Sequence, residues 1–112
     1  MKLSKNGTNS GWTEIISSEV IEDEIKAIKV KVDSDISTPS DFKGRGYKKA
    51  RRHFSILAVM FGVIGEYDGD VRFQEYAPAA RELFAKAGKN CKVGSTGAYT
   101  EAKLRKEDLQ DL

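Results

Sequence analysis

Ile21, Ile25, Ile28 and Val32 recur at i, i+4, i+7 and i+11, which places four aliphatic side chains on one helical face with charged residues between them. Glu22 and Lys26 form an i,i+4 pair on the polar side. Ser18 is the expected N-cap, Glu19, Glu22 and Asp23 favour the positive end of the helix dipole, and Lys29 and Lys31 favour the other end. Within the same stretch, IKVKV (Ile28 to Val32) alternates strictly and is rich in β-branched residues, so taken alone it also fits a short strand. The wider period favours helix.

Further along, Tyr47, Ala50, Phe54, Leu57, Ala58 and Phe61 keep helical spacing, and from Phe54 onward apolar residues run nearly all round the cylinder. This second helix is expected to be the most buried. Between the two, DSDISTPSDFKGRGY (Asp33 to Tyr47) collects Asp, Ser, Thr, Pro and Gly and predicts a crossover loop. EYDGD (Glu66 to Asp70) predicts a turn, with Asp70 capping a third helix that carries Phe73, Tyr76, Ala77, Ala80, Phe84 and Ala87. Pro78 lies inside that pattern, so the helix either kinks there or restarts with proline in its first turn. Thr100 is the expected cap of a short, charged fourth helix bearing Leu104, Leu109 and Leu112.

No internal repeat and no strand-rich region interrupts this series. The expected fold is all-α, an up-down-up-down four-helix bundle over 12–112, preceded by a flexible arm over 1–11 whose KNGTNSG offers little to bury. With 112 residues, one core suffices without metal or disulfide staples. The single cysteine allows no intramolecular disulfide and leaves the redox compartment open. No apolar run follows Met1, so no uncleaved signal peptide is expected; if one was removed, the chain is periplasmic or secreted. FSILAVMFGVIG (Phe54 to Gly65) falls short of the roughly 20 residues a membrane span needs, which predicts a soluble chain.

A net charge of +2 is too balanced to imply a polyanionic partner, so charge matters here only locally. KGRGYKKARR concentrates Lys43, Arg45, Lys48, Lys49, Arg51 and Arg52, six of the nineteen basic residues, around two glycines beside an expected helix start. Glycines allow close backbone approach, and a helix N-terminus offers amides to an anion, so phosphate or nucleic-acid binding is one reading. The stretch carries neither the dinucleotide fingerprint nor a phosphate loop, and nucleic acid is the less favoured partner. The plainer expectation is a solvated turn whose cations pair with nearby acids.

His53 is the only histidine, which excludes metal sites built on two or three of them, and no nucleophile motif accompanies it. A partly buried structural histidine is the expectation. EYDGD does not continue as a calcium loop. Cys91 sits beside Lys89 and Lys92, which would lower its thiol pKa if exposed and make it a redox or dimer-forming thiol; an inert cysteine at a helix end is the plainer reading.

FAKAGKNCKVGS (Phe84 to Ser95) resembles the segment of the cytochrome c-prime family in which a helix leads into the haem-attaching C-x-x-C-H. Cys91 stands at the first cysteine, Gly94 at the second, and Ser95 at the iron-ligating histidine, so attachment through two thioethers is impossible. FKGRGYKKARRHFSILAVMFGVIGEYDGDVRF is similar to helical cytochrome-like proteins of planctomycete bacteria, and the likeness in size and helical order extends over about four-fifths of the chain. In that family the haem motif lies in the last helix, whereas here a further helical segment follows Cys91. The resemblance implies a c-prime-like bundle without covalent haem; the expectation is a non-catalytic binding module with no cofactor, whose partner the sequence leaves open, a protein being one candidate. The alternative it implies is a non-covalent haem protein for electron transfer or gas binding, with His53 or Met60 as axial ligand and Cys91 nearby. His53 and Met60 are seven positions apart on one helix face, so the two do not ligate opposite sides of one iron, and Met60 is better placed as core packing.

Overall fold

A computed structural model describes residues 11–112. Four helices form the bundle: α1 (Ser18–Asp35), α2 (Tyr47–Glu66), α3 (Ala77–Asn90) and α4 (Thr96–Gln110). All-α architecture is therefore the fold, and IKVKV lies within α1 as helix. The expected arm, apart from Gly11, lies outside the described residues.

Contacts along the helices fix their directions. The Asp35 and His53 side chains pair near the end of α1 and the start of α2. Gly88 of α3 packs on Ser55 and Gly65 of α2 packs on Ala77, so α2 and α3 run antiparallel. Lys106 of α4 donates to the Ile36 carbonyl at 3.1 Å and Gln110 to the Lys29 carbonyl at 3.3 Å, which sets α4 antiparallel to α1. The order is up-down-up-down.

The core follows the expected apolar stripes of the first two helices, whereas Tyr76 and Leu104, expected on those of the third and fourth, are exposed. Ile21, Ile25, Ile28 and Val32 of α1 face Ala50, Phe54, Leu57, Phe61 and Ile64 of α2. Phe84 of α3 lies between Phe54 and Phe61, with ring centroids 5.9 and 5.8 Å away. Each such ring, fully buried, contributes about 2–3 kcal/mol of transfer free energy.

Several boundaries differ from the sequence expectation, and local chemistry explains each. The expected crossover loop contracts to residues 36–38. Asp33 to Asp35 finish α1, and helix resumes at Pro39–Asp41, passing through a π-helical turn at Phe42–Gly46 into α2. Thr38 caps this start, its hydroxyl oxygen accepting from the Asp41 amide at 3.1 Å with Pro39 in the first turn. The residues that read as loop formers act as a cap instead.

The third helix begins at Ala77, not after Asp70, because Phe73 adopts a left-handed conformation with φ of 73°. Burial of its ring against Phe61, at 6.4 Å, holds it there, and Pro78 takes its place in the first turn of α3. Ser17 rather than Ser18 caps α1, accepting from the Val20 amide. Ser95 rather than Thr100 caps α4, accepting from the Ala98 amide at 3.1 Å. A 3-10 turn at Trp12–Glu14 precedes α1. Asp68 ties this turn to the loop after α2, its carboxylate accepting from the Thr13 amide at 2.9 Å and hydroxyl at 2.8 Å. Those bonds hold the Asp68 carboxyl below its ordinary pKa.

Candidate functional site: a basic end of the bundle

The basic stretch begins within the π-helical turn and continues down the first two turns of α2. Lys43, Arg45, Lys48, Lys49, Arg51 and Arg52 are all exposed, while Gly46, Ala50 and Phe54 take the buried positions between them. Helical alternation thus sends every cation outward. Lys48, Lys49, Arg51, Arg52 and Ser55 line an open cleft of about 630 Å³.

The expected pairing with nearby acids does not occur. Among the described residues, none of these six cations forms a salt bridge; the ion pairs are His53–Asp35, Arg105 with Glu101 and Asp108, and Lys106–Asp33. The acids closest in sequence have other partners. Asp41 accepts a hydrogen bond from the Ser37 hydroxyl at 2.9 Å, and Asp35 pairs with His53. Lys48 instead lies over the Tyr47 ring, 5.9 Å from its centroid.

Tertiary packing enlarges the patch. A Cβ on Gly88 would meet the Arg51 carbonyl at 3.3 Å, and one on Gly94 would meet the Lys43 Cα at 2.7 Å, so the end of α3 and the 91–95 loop lie against the start of α2. Exposed Lys89 and Lys92 thereby join the same end of the molecule. Residues more than thirty positions apart form one cationic surface.

Gly46 serves packing, and the two glycines do not form an anion cradle. Helix runs without a break from Pro39, and Gly46 itself is right-handed helical, so no free helix N-terminus exists at G-R-G. Gly46 is buried against the Asp35 carbonyl, where a Cβ has no room, whereas Gly44 faces open space. The side chains, not backbone amides, carry the positive charge here.

His53 is partly buried on the seam between α1 and α2, and its Nδ1 lies 2.5 Å from Asp35 Oδ2. Asp35 is the one buried charged residue among those described, at 6% exposure. Sequence reading missed this partner, although a signal existed: Asp35 follows Val32 by three on the apolar stripe of α1, an acid in a core position. Cys91 caps the end of α3 and is 1% exposed. Burial pushes its thiol up to about 11, against a smaller opposing effect of Arg51, so the lowered pKa expected from Lys89 and Lys92 is not found. Met60 is partly buried and packs on the core.

His53, Met60 and Cys91 line neither the basic cleft nor the next three clefts. Three further clefts are lined by the Asp35, Arg45 and Lys49 group (about 240 Å³), by residues around Gly62 and Pro78 (about 180 Å³), and by Tyr76, Leu83, Phe84 and Leu112 (about 320 Å³). No cluster of three His, Cys, Asp or Glu residues among those described is placed to hold a metal ion. No helix among the described residues is long and apolar enough to cross a membrane. Comparison with protein families, with curated proteins and with solved structures finds no match to this chain.

Proposed function

We propose that this chain is a non-catalytic binding module, c-prime-like in architecture and without covalent haem, that takes an acidic protein partner on the basic end of the bundle. The observation that carries the reading is the set of six exposed cations within ten residues, none with a carboxylate partner among the described residues. Like charges packed this closely repel one another, and an opposite surface relieves that repulsion while gaining electrostatic steering. The non-catalytic reading draws support from the two reactive side chains: His53 is held by Asp35, and the Cys91 thiol is buried and protonated. A protein partner is favoured over single-stranded nucleic acid because the patch displays no exposed aromatic ring for base stacking, Tyr47 being half-buried, and the duplex is left to the test below.

The test uses fluorescence anisotropy of a labelled twenty-residue polyglutamate peptide and a labelled twenty-base-pair DNA duplex across a sodium chloride series. Polyglutamate is expected to bind with a steep salt dependence. Lys48→Gln with Arg52→Gln should weaken binding about tenfold, while Lys26→Gln with Lys103→Gln, equal in charge but away from the patch, should change it less than twofold. Equal losses in the two double variants, or tighter binding of the duplex than of polyglutamate, would overturn the proposal.

A further inference from the structure

The outermost line of α2, opposite its buried stripe, runs Lys48, Arg52, Ile56, Val59. It is cationic for its first half and aliphatic for its second, and the aliphatic residues are open to solvent, Ile56 at 40% and Val59 at 68%. The outermost line of α1 runs Glu19, Asp23, Ala27, Val30, all exposed, with Val30 at 70%. Both lines share one spacing, four, four and three residues. Charge sign is opposite at the first two positions, and both lines are aliphatic at the last two. Neither Glu19 nor Asp23 forms a salt bridge among the described residues.

We infer that a second copy of this chain docks the outer face of its α1, in parallel, along the outer face of α2, bringing Glu19 to Lys48, Asp23 to Arg52, Ala27 to Ile56 and Val30 to Val59. The inference rests on the proposed function and names its acidic partner. Two faces with the same axial spacing stay in register over three turns, about 16 Å at 1.5 Å per residue. Parallel docking is the only orientation that sets both carboxylates against cations and both aliphatic pairs together. The reverse orientation sets Arg52 against Ala27 and Lys48 against Val30, and both carboxylates against aliphatic side chains.

The two faces differ, so the contact is heterologous: each copy offers one face to each neighbour, and assembly proceeds to a ring or an open chain rather than a closed two-fold dimer. One helix on one helix buries less than the roughly 1,200 Å² of stable complexes, so the association is weak, concentration-dependent and salt-sensitive. A separate acidic protein gains the same ion pairs. It is disfavoured here because the chain itself displays the matching face.

Sedimentation velocity at rising protein concentration, in low and high salt, tests this. Species larger than a monomer should grow with concentration in 20 mM salt and dissolve in 500 mM. Arg52→Glu alone and Asp23→Arg alone should each weaken association at least tenfold. The two together in one chain, which restore opposite charges with their signs exchanged, should recover association to within about threefold of the parent. Val59→Ser should weaken association while leaving polyglutamate binding unchanged. A parent protein that stays monomeric yet binds polyglutamate overturns the second-copy assignment and leaves the basic-end reading standing, whereas a monomer that binds no polyglutamate overturns both. Association that persists in the single variants, or that the double exchange fails to restore, also overturns this pairing.

Discussion

Cys91 shows how far a side chain's chemistry depends on its surroundings. Two flanking lysines suggest a stabilised thiolate, but they point to solvent while the sulfur lies in the core, and desolvation of the charged form prevails. The consequence for stability follows from linkage. Unfolded, the thiol loses its proton near its ordinary 9.0; folded, it keeps it to about 11. Its contribution is intact below the unfolded value and is lost as pH rises through the folded one. Stability measured by urea unfolding should therefore fall between pH 9 and 11. Cys91→Ala should lack that part of the decline, so that the parent loses about 2 kcal/mol relative to the variant across the window. Parallel pH profiles for parent and variant would show that the thiol does not titrate differently in the two states. Asp35 and His53 belong to the same scale, each accounted for only once its partner is seen.

At the scale of elements, the helical lead-in to α2 is the main departure from expectation. Asp33 to Tyr47 is dense in residues that serve both turns and caps, and only the position of each backbone hydrogen bond separates the two uses. Thr38 and Pro39 start a helix, and the following π-helical turn carries both glycines. The two are not equivalent. Gly46→Ala pushes a methyl group into the Asp35 carbonyl and should cost about 2 kcal/mol or more, since backbone must move. Gly44→Ala meets nothing within 4 Å and should stabilise by about 0.5–1 kcal/mol through lower unfolded-state entropy. Urea denaturation of the two single variants checks the pair, and similar effects at both positions would refute the packing assigned to Gly46. The same dual use explains Ser17 and Ser95, each one or more residues ahead of the expected cap.

For the whole molecule, the arrangement of aromatic rings bears on the haem alternative. Phe84 stacks between Phe54 and Phe61, their planes within 8° and 30° of its own, filling the space between α2 and α3 with side chains. His53 lies on the opposite seam, toward α1, bound to Asp35. A haem titration followed in the visible range should accordingly give the spectrum of free haem in both oxidation states. A saturable Soret shift abolished by His53→Ala would instead establish a haem protein. The basic end is likewise a property of the whole. Lys89 and Lys92 reach it only because α3 returns antiparallel along α2 and the 91–95 loop packs on Lys43.

Periodicity alone determined the existence of the four main helices and the buried stripes of the first two: Ile21, Ile25, Ile28 and Val32 in α1 and Ala50, Phe54, Leu57 and Phe61 in α2 are buried as their spacing required, because a repeat near 3.6 residues has one way to shelter its apolar side from water. It also located the six cations of the candidate site, a local run legible in any conformation. Tertiary structure decided what depends on distant neighbours. It placed Asp35 against His53, sank Cys91, left the cations without acid partners, and set the matching faces of α1 and α2 on the outside. A linear pattern specifies which side of a helix turns inward, but not which groups from other helices it will meet, and charge, burial and pKa are set by those meetings.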